Sequence, residues 1–315
     1  MTHPSPPSPA VVRGAPSAGR LLSVSVQWLR SARVFGITAV IAPLLALCYG
    51  CFLWLTHNTD LAAAHAAAER RRGDLIARMG VDASLVDPDQ FYTDPRYLLT
   101  DALPDDLTVA TSVTACILFI LGASLGGADW QSRSANVWIL AEPRRHRLLV
   151  ARVAVIALAG VLLSVVVLAI VGGAALVTAA TRGTADGVTA AWLADILQAA
   201  LRGTLVVAAL GALGTSFGWA ARSAVVPFAT VFVYVLFAEA VVRNSLTALR
   251  PWTLTVLIPS ATELKPPAPA TCTADGLCED ASAVLAPWPA ALAVTALAVV
   301  LLAVAWLLVR RREVR

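Results

Sequence analysis

From Val153 to Thr181 the chain runs without one charged residue, and that run decides what it can fold into. A bilayer core about 30 Å thick takes roughly 20 apolar residues per helix. Only a segment that satisfies its own backbone hydrogen bonds can lie in hydrocarbon. Five further runs share this character: Val34–Thr56, Leu107–Ala128, Ile196–Ala221, Ala224–Val242 and Leu285–Val309. Arg202 interrupts the third of these and Glu239 lies in the fourth. The pattern predicts an all-α integral membrane protein with six transmembrane helices.

Composition excludes the alternatives. Charged residues make up 14% of the 315 residues and hydrophobic ones 58%. Soluble domains carry roughly 25% charge, so this surface cannot be covered for water. A cytosolic enzyme, a nucleic-acid-binding module and a disordered protein are all ruled out. Lys265 is the only lysine, the other cations are arginine, and Ala, Gly and Pro abound. That usage points to a GC-rich bacterial genome and hence to a bacterial plasma membrane.

The charges also orient the chain. Segments 1–33, 129–152, 222–223 and 310–315 hold 14 cations and 3 acids, whereas 57–106, 182–195 and 243–284 hold 9 cations and 16 acids. Arginine excess marks the cytoplasmic side, so both termini are expected inside. The first apolar run is too long, and its leader too extended, for a cleaved secretory signal; it reads as a signal anchor.

Several stretches between the runs carry their own expectations. Residues 1–19, rich in Pro and Ser, have the composition of a disordered cytoplasmic tail. Residues 20–33 place Leu21, Leu22, Val26 and Leu29 at helical spacing, with Trp28, Arg30 and Arg33 at headgroup level. This predicts an interfacial helix, the alternative being a ragged extension of the first span. In the external segment 57–106, Asp60–Met79 has strong helix formers and Gly80 as a stop. It is expected to continue the first helix outward, before Pro88, Pro95 and Pro104 break the chain into turns. Segment 310–315 is a short basic tail.

RPWTLTVLIPS, between the fifth and sixth runs, has only Trp252–Ile258 apolar between two prolines. It is too short to cross and predicts a helix dipping into the outer leaflet. Cys272 and Cys278 flank an Asp275-Gly276 turn; on the outer face they suggest a disulfide, or less readily two ligands of a metal site. Antiparallel neighbours four and five would bring Arg202 and Glu239 to one depth, about 25–30 Å from their shared turn. Intramembrane charges are costly unless paired, so an Arg202–Glu239 pair is expected, with separate snorkelling to water as the alternative.

No catalytic constellation is visible. The sequence lacks GxxxxGK[ST], HExxH and GxSxG, and its four histidines are scattered. No enzyme activity, metal or cofactor is expected of this chain. One cytoplasmic stretch stands out instead. GADWQSRSANVWILAEPRRHRLLVAR runs from an acid through the apolar Trp130, Val137, Trp138 and Ile139 to a proline and an arginine cluster. It reads either as a positive-inside loop with interfacial tryptophans or as a docking helix.

With that stretch, the chain resembles permease subunits of the ABC type-2 exporter superfamily. Asp129 stands where the family carries an acid after span two, and AEPRRHR with Arg152 is similar to the family's Pro-Arg exit from its coupling helix. RPWTLTVLIPS is similar to the re-entrant helix before span six. The resemblance covers the chain from about Leu21 and implies six spans, both termini inside, an interfacial elbow helix and a dimer of permeases. It implies coupling to a separate cytoplasmic P-loop ATPase, which would hold the ATP-Mg, through 129–152: Asp129, Trp130, Arg133, Trp138, Glu142, Pro143, Arg144 and Arg145. Arg133-Ser134 replaces the Gly-Thr often found after the acid. The resemblance leaves the cargo open among a hydrophobic drug, a peptide, a lipid-linked sugar and an antibiotic. The rival reading is a polytopic scaffold or immunity factor with no transport role.

Overall fold

A computed structural model describes residues 18–80, 87–131, 145–245, 247–264 and 285–311. Ten helices order the described chain: α1 (Ala18–Ser31), α2 (Arg33–Thr56), α3 (Leu61–Met79), α4 (Leu99–Gln131), α5 (Arg145–Arg182), α6 (Ala190–Ala221), α7 (Val225–Val233), α8 (Glu239–Ser245), α9 (Leu254–Thr262) and α10 (Pro287–Arg311). A single π turn, Tyr234–Ala238, joins α7 to α8. Five helices, α2, α4, α5, α6 and α10, are long and apolar enough to cross a bilayer. The chain is an all-α, multi-pass membrane protein.

The apolar run 224–242 differs from its five companions. It is helical from Val225 on but divided into α7, the π turn and α8. The uninterrupted apolar stretch is only Val225–Phe237. The segment after the first span also differs from expectation. Instead of continuing α2, the chain breaks at His57–Asp60, and α3 starts afresh with the Asp60 carboxylate accepting from Ala63 N–H at 2.9 Å. That is an N-cap, which satisfies a donor left over by the first turn. Gly80 ends α3 at φ 63°, a left-handed conformation that suits glycine, with its N–H on the Ile76 carbonyl at 2.9 Å.

Burial sorts the long helices into centre and rim. Of α4's apolar window 61% is inside the protein, and of α6's 50%, against 17% for α2 and 22% for α10. The α4–α6 pair is the core, and its sequence explains the closeness. GASLG (122–126) on α4 faces GTSFG (214–218) on α6. A Cβ on Gly122 would stand 2.4 Å from the Gly211 carbonyl oxygen, and one on Gly214 2.3 Å from that of Phe119. Such contact exists only where side chains are missing, which is how small-xxx-small pairs hold helices in lipid. Leu118, Leu121, Ile156, Val206, Val207 and Val294 then fill the space around this seam.

At one end of the bundle, α1 packs on α5, with Leu29 buried in the central cluster. At the other, Tyr97–Leu98 pairs in parallel with Gly183–Thr184, tying the entry of α4 to the exit of α5. These two-residue strands, β1 and β2, approach so closely that a Cβ on Gly183 would meet the Tyr97 carbonyl oxygen at 2.0 Å.

Candidate functional site

Arg202 and Glu239 are both buried, 4% and 3% exposed, but their partners lie on α9 and not on one another. Arg202 Nε donates to the Ala261 carbonyl at 2.9 Å and a terminal guanidinium nitrogen donates to that of Glu263 at 2.8 Å. Its guanidinium also faces the Trp288 ring at 5.6 Å. Those carbonyls belong to the last turn of α9 and its C-cap Glu263, where helical backbone lacks its own donors and a cation is favoured. Glu239 sits at the other end. Its Oε1 accepts from Thr255 N–H at 3.2 Å and from the Thr255 hydroxyl. Its Oε2 has no hydrogen-bond partner among the described residues.

The π turn explains how the α9 start is reached. Tyr234 and Glu239 are five residues apart, about 140° round an α-helix. One i→i+5 turn brings them back toward a common face. The Tyr234 hydroxyl accepts from Leu254 N–H at 3.2 Å, beside the Glu239 contact to Thr255. Thus α9 is a nine-residue helix seated against α4, α6 and α10 and held at both ends by side chains. Thr262 adds a bond from its hydroxyl to that of Thr108 on α4, at 2.9 Å.

A second cluster lies at the α1 end. The Arg152 guanidinium, 1% exposed, stacks over Trp28 of α1 at 4.3 Å and faces Trp219 of α6 at 5.7 Å. Trp219 meets Trp130 of α4 edge to face, ring centroids 5.5 Å apart. Arg222 in turn lies over Trp130 at 4.4 Å. Arg222 closes α6 at φ 54°, a left-handed cap unusual for a residue with a Cβ. Four helices are thereby joined through two cations and three rings, an arrangement that gains strength where water is excluded. Trp130 stands one residue before the end of α4, so this cluster borders the segment 132–144.

A third cluster closes the opposite end. Asp106 of α4, buried, accepts from Tyr49 of α2 at 2.7 Å and from Tyr97 at 2.5 Å. Burial, then the bond to Asp106, raises the Tyr97 hydroxyl above its ordinary pKa. Arg182 donates to the carbonyls of Trp54 and His57 at 2.7 and 3.0 Å and stacks on the Trp54 ring at 3.5 Å, covering the end of α2. In the loop beyond, Arg96 grips Asp94 through two nitrogens, and this hydrogen bonding holds the Asp94 carboxyl below its usual range. His65 stacks on Tyr92 at 4.3 Å.

Of the residues expected to couple to an ATPase, Asp129 and Trp130 lie in the last turns of α4 and Arg145 opens α5. Arg133, Trp138, Glu142, Pro143 and Arg144 lie outside the described residues, as do Cys272 and Cys278. Among the described residues no three His, Cys, Asp or Glu side chains gather as a metal site.

Sequence reasoning missed the Arg152 stack, the Asp106 centre and the Arg182 cap. Arg152 carried a signal, since it is the one cation within the apolar stretch LLVARVAVIAL. Asp106 carried less, because it is one of several acids just before an apolar run. No family model, curated protein or solved structure matches the chain.

Proposed function

We propose that the chain is the membrane permease half of an ATP-driven exporter in a bacterial plasma membrane, with six spans, both termini cytoplasmic, and two permeases per working unit. In this reading α7, the π turn and α8 together make the fifth span. The ATP-Mg belongs to a separate cytoplasmic P-loop ATPase, which docks on 129–152. The cargo is left open among hydrophobic drugs, peptides, lipid-linked sugars and antibiotics.

The observation that carries the reading is α9. A nine-residue helix spans only about 13 Å, so it cannot cross; yet it is packed inside the bundle, and its Leu257 and Ala261 are 4% and 0% exposed. Charges hold it at each end, which is what a re-entrant helix at depth requires. The Trp28–Arg152–Trp219–Trp130–Arg222 cluster supports the same reading. A push on the docking segment would reach α4 through Trp130, and the stacked rings would pass it to α1, α5 and α6 together.

The test is coupling. In proteoliposomes holding the purified complex, replacing Glu142, Pro143 and Arg144 by alanine is expected to leave insertion intact. It is expected to abolish the dependence of ATP hydrolysis on the permease. Unchanged coupling in the replaced protein would contradict the assignment.

A further inference from the structure

A cavity of about 430 Å³ opens between α1, α2 and α5. Its walls include Leu29 from α1, Phe35, Ala39 and Pro43 from α2, and Leu158 and Leu162 from α5, and among the described residues Arg30 is the only polar side chain that lines it. Arg30 is exposed, and Arg33, three residues on, is exposed as well. The walls are held apart by firm contacts. Leu29 is 5% exposed in the core, and Trp28 is stacked beneath the Arg152 guanidinium, so α1 is pinned to α5 along the edge of the cavity.

Depth identifies the occupant. From Phe35 to Pro43 the groove descends eight residues of α2, about 12 Å. Half of a 30 Å hydrocarbon core is about 15 Å. The groove is thus about one leaflet deep and lined by apolar side chains, with the exposed Arg30 at its α1 end. Arginine prefers the planar, charge-assisted hydrogen bonds that a phosphodiester offers, and basic pockets between membrane helices suit anionic headgroups. A peptide or a second copy of the chain would need polar partners or a wider apolar face, and among the described residues these walls supply one cation and no other hydrogen-bonding side chain.

We infer that this groove is a binding site for a single anionic phospholipid, its acyl chain against Phe35, Ala39 and Leu158 and its phosphate on Arg30. The inference requires only that the chain spans a bilayer and stands whether or not an ATPase docks on it. The lipid would fill the joint between α1 and the first span, so its headgroup charge would set how firmly α1 lies along the membrane.

Native mass spectrometry of the full-length protein, released from mild detergent, tests this. The protein is titrated with phosphatidylglycerol and, separately, with phosphatidylcholine of the same acyl chains. The wild type is expected to keep one phosphatidylglycerol about tenfold more tightly than phosphatidylcholine, whose choline cation offsets the phosphate charge that Arg30 meets. Arg30→Gln, at an exposed position, is expected to bind both lipids equally, and Ala39→Trp to bind neither. Equal retention of both lipids by the wild type would overturn the assignment to an anionic lipid. An unchanged one-lipid adduct in a well-folded Ala39→Trp protein would overturn the groove. Should Ala39→Trp not fold, the Arg30→Gln comparison decides alone: an unaltered headgroup preference there refutes the proposal.

Discussion

Arg202 and Glu239 hold opposite ends of one short helix: the guanidinium bonds the carbonyls of Ala261 and Glu263, and the carboxylate bonds the first turn at Thr255. Each charge matches the helix dipole at its end, positive at the C-terminus and negative at the N-terminus. Two charges of opposite sign, 37 positions apart in a near-apolar stretch, suggest direct pairing. Here the helix α9 stands between them and is paired with both.

Removing either grip should therefore loosen α9. Arg202→Met leaves two carbonyls without their donor and is expected to cost about 3 kcal/mol. Glu239→Leu should cost a similar amount, whereas Glu239→Gln keeps an acceptor for Thr255 and should cost less than half as much. The double change Arg202→Met, Glu239→Leu should cost less than the sum, because both act on one helix. Thermal unfolding in mild detergent, followed by tryptophan fluorescence, measures this; additive losses would count against a shared helix.

Glu263 gives a pH signature. Burial, with Asp105 nearby, raises its carboxyl above the ordinary value of 4.5. A carboxyl whose pKa is higher in the folded protein contributes stability below the unfolded value and loses it as pH rises through the folded one. Glu263→Gln, a mimic of the protonated acid, should match the wild type near pH 4 and unfold at a higher temperature near pH 7.5. A less stable variant at pH 7.5 would contradict the burial argument.

The α4–α6 seam should be intolerant of a single methyl group. Gly214→Ala would put a Cβ 2.3 Å from the Phe119 carbonyl oxygen, and Gly218→Ala one 2.6 Å from that of Ala123. Both are backbone clashes and should abolish the yield of monodisperse protein. Gly172→Ala on α5 is the control, since a Cβ there meets nothing within 4 Å; it should be neutral or slightly stabilising.

The Arg152 stack should distinguish a charge from a plane. Lysine keeps the charge but loses the flat guanidinium that lies on Trp28. Arg152→Lys should retain part of the stability lost in Arg152→Met, and both should shift tryptophan emission to longer wavelength as the rings gain water. Identical emission in the three proteins would show that the stack does not order Trp28 and Trp219.

Much of this architecture was legible because apolar length is a strong signal. The runs beginning at Val34, Leu107, Val153 and Ile196 lie within long helices, the run beginning at Leu285 is helical from Pro287, and the caps at Asp60 and Gly80 bear their usual residues. The partners of buried charges were less legible. Charge spacing locates Arg202 and Glu239 in depth, but backbone carbonyls and N–H groups compete for them without any mark in the sequence. The π turn was equally silent, since nothing in YVLFA departs from an ordinary apolar helix. The close seam could have been found from GASLG and GTSFG, two small-residue motifs on neighbouring spans.

The central claim is that this chain works with a separate ATPase, and a tagged pull-down tests it most directly. The protein is purified from its native membranes in mild detergent, and everything that accompanies it is identified by mass spectrometry. A P-loop ATPase recovered in stoichiometric amount is the expected result. Its absence, in detergent that keeps a control exporter assembled, would contradict the exporter account and favour a scaffold or immunity role.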